Sequence, residues 1–202
     1  MRVGIYPGAF DPVHDGHLAF AEAAMAQFGL DKVFFLPEPK PRHKQAVKAL
    51  QHREAMVQLA TKPNPKLGVI RLEQARFTVQ ETWPLLTSRF TGAELYMLLG
   101  SDVAQRLASW PHIDELIKSA PHFVVALRGA DKPHVNAMIE TMQKTTKLPF
   151  KYSLLEPNYP LYSSGKIRLS LKRGHTPRSL RPAVVEYIRA NNLYSSRETG
   201  EK

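Results

Sequence analysis

The stretch Val3-Gly4-Ile5-Tyr6-Pro7-Gly8-Ala9-Phe10-Asp11-Pro12-Val13-His14-Asp15-Gly16-His17 constrains the fold of this chain more than any other. Residues 3–6 are an apolar run of strand length, Pro7 and Gly8 punctuate it, and a helical pattern opens at Gly16. Leu18, Ala21, Met25 and Phe28 recur at helical spacing, so one stripe of that helix can pack on a sheet. The loop between strand and helix then lies beyond the carboxyl end of the first strand, where open α/β sheets bind ligands. His14 and His17 fall where the loop meets the helix N-terminus, whose free N–H groups and positive dipole end favour an anion such as phosphate.

The rest of the chain alternates strand and helix. Residues 32–36, 67–72, 95–99, 122–127 and 151–155 read as further strands, the second of the six too continuously apolar for a solvated edge. Helices are expected over 46–61, 78–88, 113–119 and 135–146, with Pro84 kinking or limiting the second of these. Such alternation predicts an α/β, Rossmann-like, doubly wound parallel sheet of about five to six strands with a small C-terminal helical part. We expect one domain over residues 1–194 and a polar tail over 195–202.

Several strand ends deliver chemistry. Pro37, Pro39 and Pro41 force an extended loop carrying Lys40, Arg42, His43 and Lys44. Arg53 falls on the apolar face of the following helix, where a guanidinium either snorkels out or points at an anion in the cleft. Gly100-Ser101-Asp102 ends the fourth strand: Ser101 or Asp102 can cap the next helix, or the carboxylate can meet a ribose hydroxyl or Mg²⁺. Tyr162-Ser163-Ser164-Gly165-Lys166-Ile167-Arg168 opens a helix running to about residue 171. One serine is explained as an N-cap, and paired hydroxyls with two cations also make an anion site.

Charge and composition narrow the classes. The 202 residues carry 28 Lys and Arg against 18 Asp and Glu, a net +10 that suits anionic partners, nucleotides or nucleic acid, without choosing between them. With no cysteine, thiolate chemistry and disulfides are excluded, and His14 and His17 have only Asp11 or Asp15 as a near third ligand, so no metal site is expected. No run approaches membrane-spanning length and the N-terminus enters a strand directly, which makes cytoplasmic the expected location. Neither G-x-G-x-x-G after the first strand nor G-K-[ST] occurs, which disfavours a dinucleotide dehydrogenase and a P-loop NTPase.

Residues 8–17 resemble the nucleotidyltransferase signature G-x-F-D-P-x-H-x-G-H, and residues 163–168 resemble its partner motif I-S-S-T-x-I-R. Within that superfamily the chain is most similar to the bacterial nicotinate-nucleotide adenylyltransferases. Pro41-Arg42-His43-Lys44 resembles their P-P-H-K, Arg53 and Met56 their R-x-x-M, and residues 76–82 their S-Y-T-x-x-T segment. Gly100-Ser101-Asp102, Trp110, Arg128 and residues 180–194 follow in family order.

The resemblance implies attack by a mononucleotide 5′-phosphate on the α-phosphate of ATP, giving nicotinate adenine dinucleotide and pyrophosphate in NAD biosynthesis, with ATP as co-substrate and Mg²⁺. It makes His17, His14 and Arg168 catalytic, His17 on the α-phosphate and His14 on the β-phosphate. Gly8, Ala9, Phe10 and Gly16 would line the phosphate pocket, Ser163 and Ser164 would grip the β- and γ-phosphates, and Gly100 and Asp102 would meet adenosine. His43, Lys44, Thr78, Trp110 and Arg128 would hold the mononucleotide. The partners so implied are the mononucleotide and ATP, with neither nucleic acid nor membrane expected and the oligomeric state open.

The chain departs from the family pattern at Ala9 and Gly165, each lacking a hydroxyl usual there, at Phe77 in place of Tyr, and at Pro111-His112 after Trp110. Two other readings stand beside the first. One is the same chemistry on another phosphate acceptor, nicotinamide mononucleotide or a phosphopantetheine-like group; the other is a catalytically weakened nucleotide-binding or nucleic-acid-binding protein on this fold.

Overall fold

The computed structural model describes residues 1–42, 44, 46–71, 73–119, 121–127, 132–148, 150–156 and 162–195, apart from the side chain of residue 145. Six strands, β1 (Arg2–Gly8), β2 (Lys32–Pro37), β3 (Leu67–Val69), β4 (Glu94–Gly100), β5 (His122–Ala126) and β6 (Tyr152–Leu155), form one sheet in the order β3-β2-β1-β4-β5-β6. Every neighbouring pair is parallel. The helices are α1 (Asp15–Phe28), α2 (Leu50–Thr61), α3 (Thr82–Arg89), α4 (Ser101–Ala104), α5 (Ile113–Lys118), α6 (Lys132–Thr146), α7 (Ser164–Lys172) and α8 (Pro182–Ala190), with a 3₁₀ turn at Leu107–Ser109. The order reverses between β1 and β4, so the crevice of a doubly wound sheet opens at their carboxyl ends, Gly8 and Gly100.

Side chains alternate across the sheet and feed two cores. Tyr6, Phe35, Leu98 and Val124 pack on one face with residues of α1, α2, α7 and α8. Ile5, Leu36, Met97 and Val125 pack on the other with residues of α3, α5 and α6. The predicted stripe of α1 is there, Leu18 and Ala21 buried and Met25 and Phe28 partly so, widened by buried Phe20 and Ala24. Among the described residues no helix is long and apolar enough to cross a membrane.

Several expected boundaries shift, two of them with a local reason on view. The expected helix over 46–61 begins only at Leu50, because Ala46 adopts φ 53° in the left-handed region, which does not continue a helix. Helix α3 begins at Thr82 rather than residue 78: Thr78 Oγ1 accepts the Glu81 N–H at 3.1 Å, so Thr78 closes a turn ahead of the helix. Pro84 then occupies the first turn, where a missing N–H costs nothing, and ends nothing. Strand β3 stops at Val69 instead of residue 72. Of the tail expected from residue 195, residues 196–202 lie outside the described residues.

Candidate active site

The loop leaving β1 is set by its own aromatic ring. A Cβ on Gly8 would stand 2.9 Å from the Phe10 ring, so the close approach of ring and backbone requires glycine. Phe10 takes φ 49°, and its ring meets Tyr6, Phe35 and His17 edge-on at centroid distances of 5.3, 5.3 and 5.2 Å. Asp11, 2% exposed, accepts from the Tyr194 hydroxyl at 2.6 Å and from the Lys48 N–H at 3.3 Å. Burial and the Asp11 charge hold the Tyr194 phenol far above its ordinary pKa, so it stays a donor.

His14 is the N-cap of α1, and its N–H donates to His17 Nδ1 at 3.2 Å. The two rings are stacked, centroids 3.7 Å apart and planes 23° apart. With Nδ1 an acceptor, the ring proton of neutral His17 sits on Nε2.

The second motif is bolted onto this loop. Ser163 is the N-cap of α7, Ser164 Oγ donates to the Pro12 carbonyl at 3.1 Å, and Arg168 Nη1 donates to the Asp11 carbonyl at 2.7 Å. The same Nη1 lies 3.6 Å from the Asp11 carboxylate. The cap explanation for Ser164 is thus replaced by a bond to the first loop. At the end of β4 the N-cap is Gly100, with no side-chain cap bond, so Asp102 is not needed as the cap.

Between these parts lies a cavity of about 690 Å³, within the range of small-molecule sites. Gly8, Ala9, Phe10 and His17 line it from the first loop, and Ser163, Ser164 and Arg168 from α7. Gly100, Asp102, Trp110 and Lys44 complete the predicted set on its wall. His14, 2% exposed, and Gly16, buried in the first turn of α1, lie behind that wall. Thr78 lines a neighbouring hollow of about 150 Å³ that shares Arg42, Phe77 and Trp110 with the main cavity. His43 and Arg128 lie outside the described residues. Among the described residues no group of three or more His, Asp or Glu could hold a metal ion.

Sequence reasoning missed Glu38, Arg106 and Tyr162 on the wall. Glu38 follows the end of β2, a position that marks it as a candidate, whereas nothing local to Arg106 does. Burial raises the Glu38 pKa; the Phe77 N–H on its Oε1 and the charges of Arg42, Arg76 and Arg53 oppose that shift. Arg53 does neither of the two things expected of it. It is 0% exposed and donates to the carbonyls of Lys48, Ala9 and Pro39.

The Cytidylyltransferase-like family matches residues 5–170. A protein named "Probable nicotinate-nucleotide adenylyltransferase" from Dictyoglomus turgidum is 36% identical over 202 residues, covering 96% of each chain. Another of that name from Neisseria meningitidis is 33% identical over 200 residues, covering 96% of this chain and 98% of its own. The chain belongs to the nicotinate-nucleotide adenylyltransferase family. Its fold is shared with the Plasmodium falciparum nicotinic acid mononucleotide adenylyltransferase complexed with NaAD, at TM-score 0.74 and 18% identity, over 96% of this chain and 97% of that one. For a nucleotidyltransferase the arrangement is chemically apt: Arg42, Lys44, Arg106, Arg168 and His17 are on the wall of the cavity, and an aromatic ring, Trp110, lines it as well. The two missing hydroxyls of the family pattern fall at Ala9 and Gly165, both on that wall.

Proposed function

We propose that the chain transfers the adenylyl group of ATP to nicotinate mononucleotide, releasing pyrophosphate. The reading is carried by one observation: two motifs far apart in sequence meet through the Arg168 to Asp11 bond and line one cavity. An oxygen of the mononucleotide phosphate attacks the α-phosphorus, an O–P bond forms, and the bond to the bridging oxygen breaks with its electron pair leaving on pyrophosphate. The nucleophile is already ionised, so the protein's work is positioning and charge stabilisation.

In this reading His17 Nε2–H donates to the α-phosphate as negative charge builds there, with the tautomer set by the His14 N–H. His14 stacks behind it and holds that ring's orientation. Ser163, Ser164 and Arg168 at the N-terminal end of α7 take the β- and γ-phosphates. Asp102 and Gly100 meet the adenosine, while Lys44 and Trp110 take the mononucleotide, the indole against its flat pyridinium ring. The Asp11 carboxylate accepts from Tyr194 and lies 3.6 Å from Arg168 Nη1, and among the described residues no group of three or more acidic or histidine side chains gathers, so Mg²⁺ would come with ATP and would supply charge neutralisation on the phosphates that Ser163, Ser164 and Arg168 take.

The test is pyrophosphate release from MgATP with nicotinate mononucleotide, nicotinamide mononucleotide or no acceptor. Turnover preferring the nicotinate compound is expected. Preference for the nicotinamide compound reassigns the acceptor, and silence with both, from protein that binds ATP, overturns the reading.

A further inference from the structure

Among the described residues Arg53 is the largest side chain with no solvent exposure. Its three nitrogens reach three separate segments: Nη1 donates to Ala9 O at 2.8 Å, Nη2 to Pro39 O at 3.0 Å and Nε to Lys48 O at 2.7 Å. Ala9 is in the loop after β1, Pro39 in the loop after β2, and Lys48 in the approach to α2. All three acceptors are neutral carbonyls. The carboxylates of Asp11, Glu38 and Glu54 favour the cation through space, but its hydrogen bonds go to the carbonyls, and what a guanidinium adds there over an apolar residue of similar volume is direction.

In a planar trans peptide the carbonyl and the following N–H point in opposite directions, so the Ala9 carbonyl turned to Arg53 turns the Phe10 N–H away from it. Phe10 sits at φ 49°, a conformation an aromatic residue holds only when its surroundings impose it. The same planar fork holds Pro39, one residue past Glu38 and just ahead of Pro41, Arg42 and Lys44 on the cavity wall. Glu38 N–H donates to Gly8 O at 2.9 Å, a second tie between the two loops that leaves Ala9 and Pro39 themselves to Arg53.

We propose that Arg53 is a positioning residue for adenylyl transfer. Its rigid fork aims the Ala9–Phe10 peptide and sets the spacing between the loop that takes the phosphates of ATP and the loop that takes the acceptor. This rests on the adenylyl-transfer reading above. It requires the reacting oxygen and phosphorus to be placed through backbone that Arg53 holds, without Arg53 touching either substrate. Displacements of about 1 Å in such an arrangement cost on the order of 10²-fold in rate.

Arg53→Ala and Arg53→Lys, in the full chain and beside wild type, test it. Arg53→Ala, corrected for folded fraction by circular dichroism, is expected to lose about 10²-fold in kcat with KM for both substrates within about threefold. Guanidinium ion at tens of millimolar is expected to restore about a tenth or more of the lost rate where sodium chloride does not, since it refills the vacated fork. Should Arg53→Ala not fold, Arg53→Lys keeps the charge without the three-way fork and is expected to fold and lose at least about 10-fold in kcat. Hydrogen exchange over residues 8–13 with ATP alone gives a readout that needs no acceptor: ATP slows exchange there in wild type and fails to in Arg53→Lys. A wild type protected by ATP yet silent with both acceptors fails the acceptor assignment, and Arg53 is then judged by exchange. Wild-type kcat in folded Arg53→Ala or Arg53→Lys, no rescue by guanidinium, or equal protection in variant and wild type overturns the proposal.

Discussion

The rings of His14 and His17 lie face to face at 3.7 Å, and the backbone N–H of the first is spent on Nδ1 of the second. The pair is a device for leaving one N–H, that of Nε2, on a residue of the cavity wall. His17→Gln, whose amide nitrogen reaches near the Nε2 position, should keep part of the rate, whereas His17→Asn and His17→Ala should each lose about 10²–10³-fold in kcat. Steady-state pyrophosphate release with all three variants decides it. Equal activity of Gln and Asn variants would show that the donor is not Nε2.

Tyr194→Phe removes the donor from a carboxylate that is 2% exposed and leaves its other partners in place. A loss of about 1–3 kcal/mol is expected in urea unfolding. KM for ATP should rise with it, because the loop bearing Ala9 and Phe10 then holds Asp11 less firmly. An unchanged urea midpoint would mean that water replaces the phenol without cost.

At Gly165 an added Cβ meets only Ser163 Oγ, at 3.6 Å, so there is room for the hydroxyl that the family pattern carries. Gly165→Thr should raise kcat/KM for ATP by about 10- to 150-fold, the worth of one hydrogen bond to a charged group. Gly165→Ala is the control: it should stabilise α7 by at most about 1 kcal/mol and leave kcat/KM where it was. A gain shared by both variants would assign the effect to the helix rather than the hydroxyl.

Glu38 makes stability depend on pH in a stated direction. Burial raises its folded-state pKa above the ordinary value of 4.5, so the folded state binds the proton more tightly than the unfolded one. Stability is therefore lost as pH rises from 4.5 through the folded pKa, and the loss persists above it. Glu38→Gln keeps an oxygen for the Phe77 N–H and removes the charge. Urea midpoints at about pH 4 and about pH 7 should show the variant gaining on wild type only at the higher pH. A difference that is the same at both would remove ionisation as the cause.

The parallel sheet is legible because β1, β2, β4 and β5 are continuous apolar runs, and both motifs that line the cavity are legible because their residue types and spacing are local. What reached beyond the neighbourhood of a residue was not. The destination of Arg53 depends on carbonyls from three loops that meet only when β1 and β2 are side by side, and helical spacing says nothing of that. Ala46 looked helical and is held at φ 53° by the chain around it. Thr78, which the resemblance gives to the mononucleotide, accepts the Glu81 N–H in the turn ahead of α3 and lines the smaller hollow beside the main cavity, a placement its spacing does not reveal.

The bond between Tyr194 and Asp11 also orders events in time. Asp11 precedes Tyr194 by 183 residues, so the first loop is synthesised well before the residue that donates to its carboxylate. A nascent or clipped copy lacking Tyr194 still carries both motifs that line the cavity, but the loop is tied down at one point fewer. Possession of the motifs and the tying-down of the first loop are thus separate milestones in the life of the chain, and only the second depends on Tyr194, beyond the end of α8.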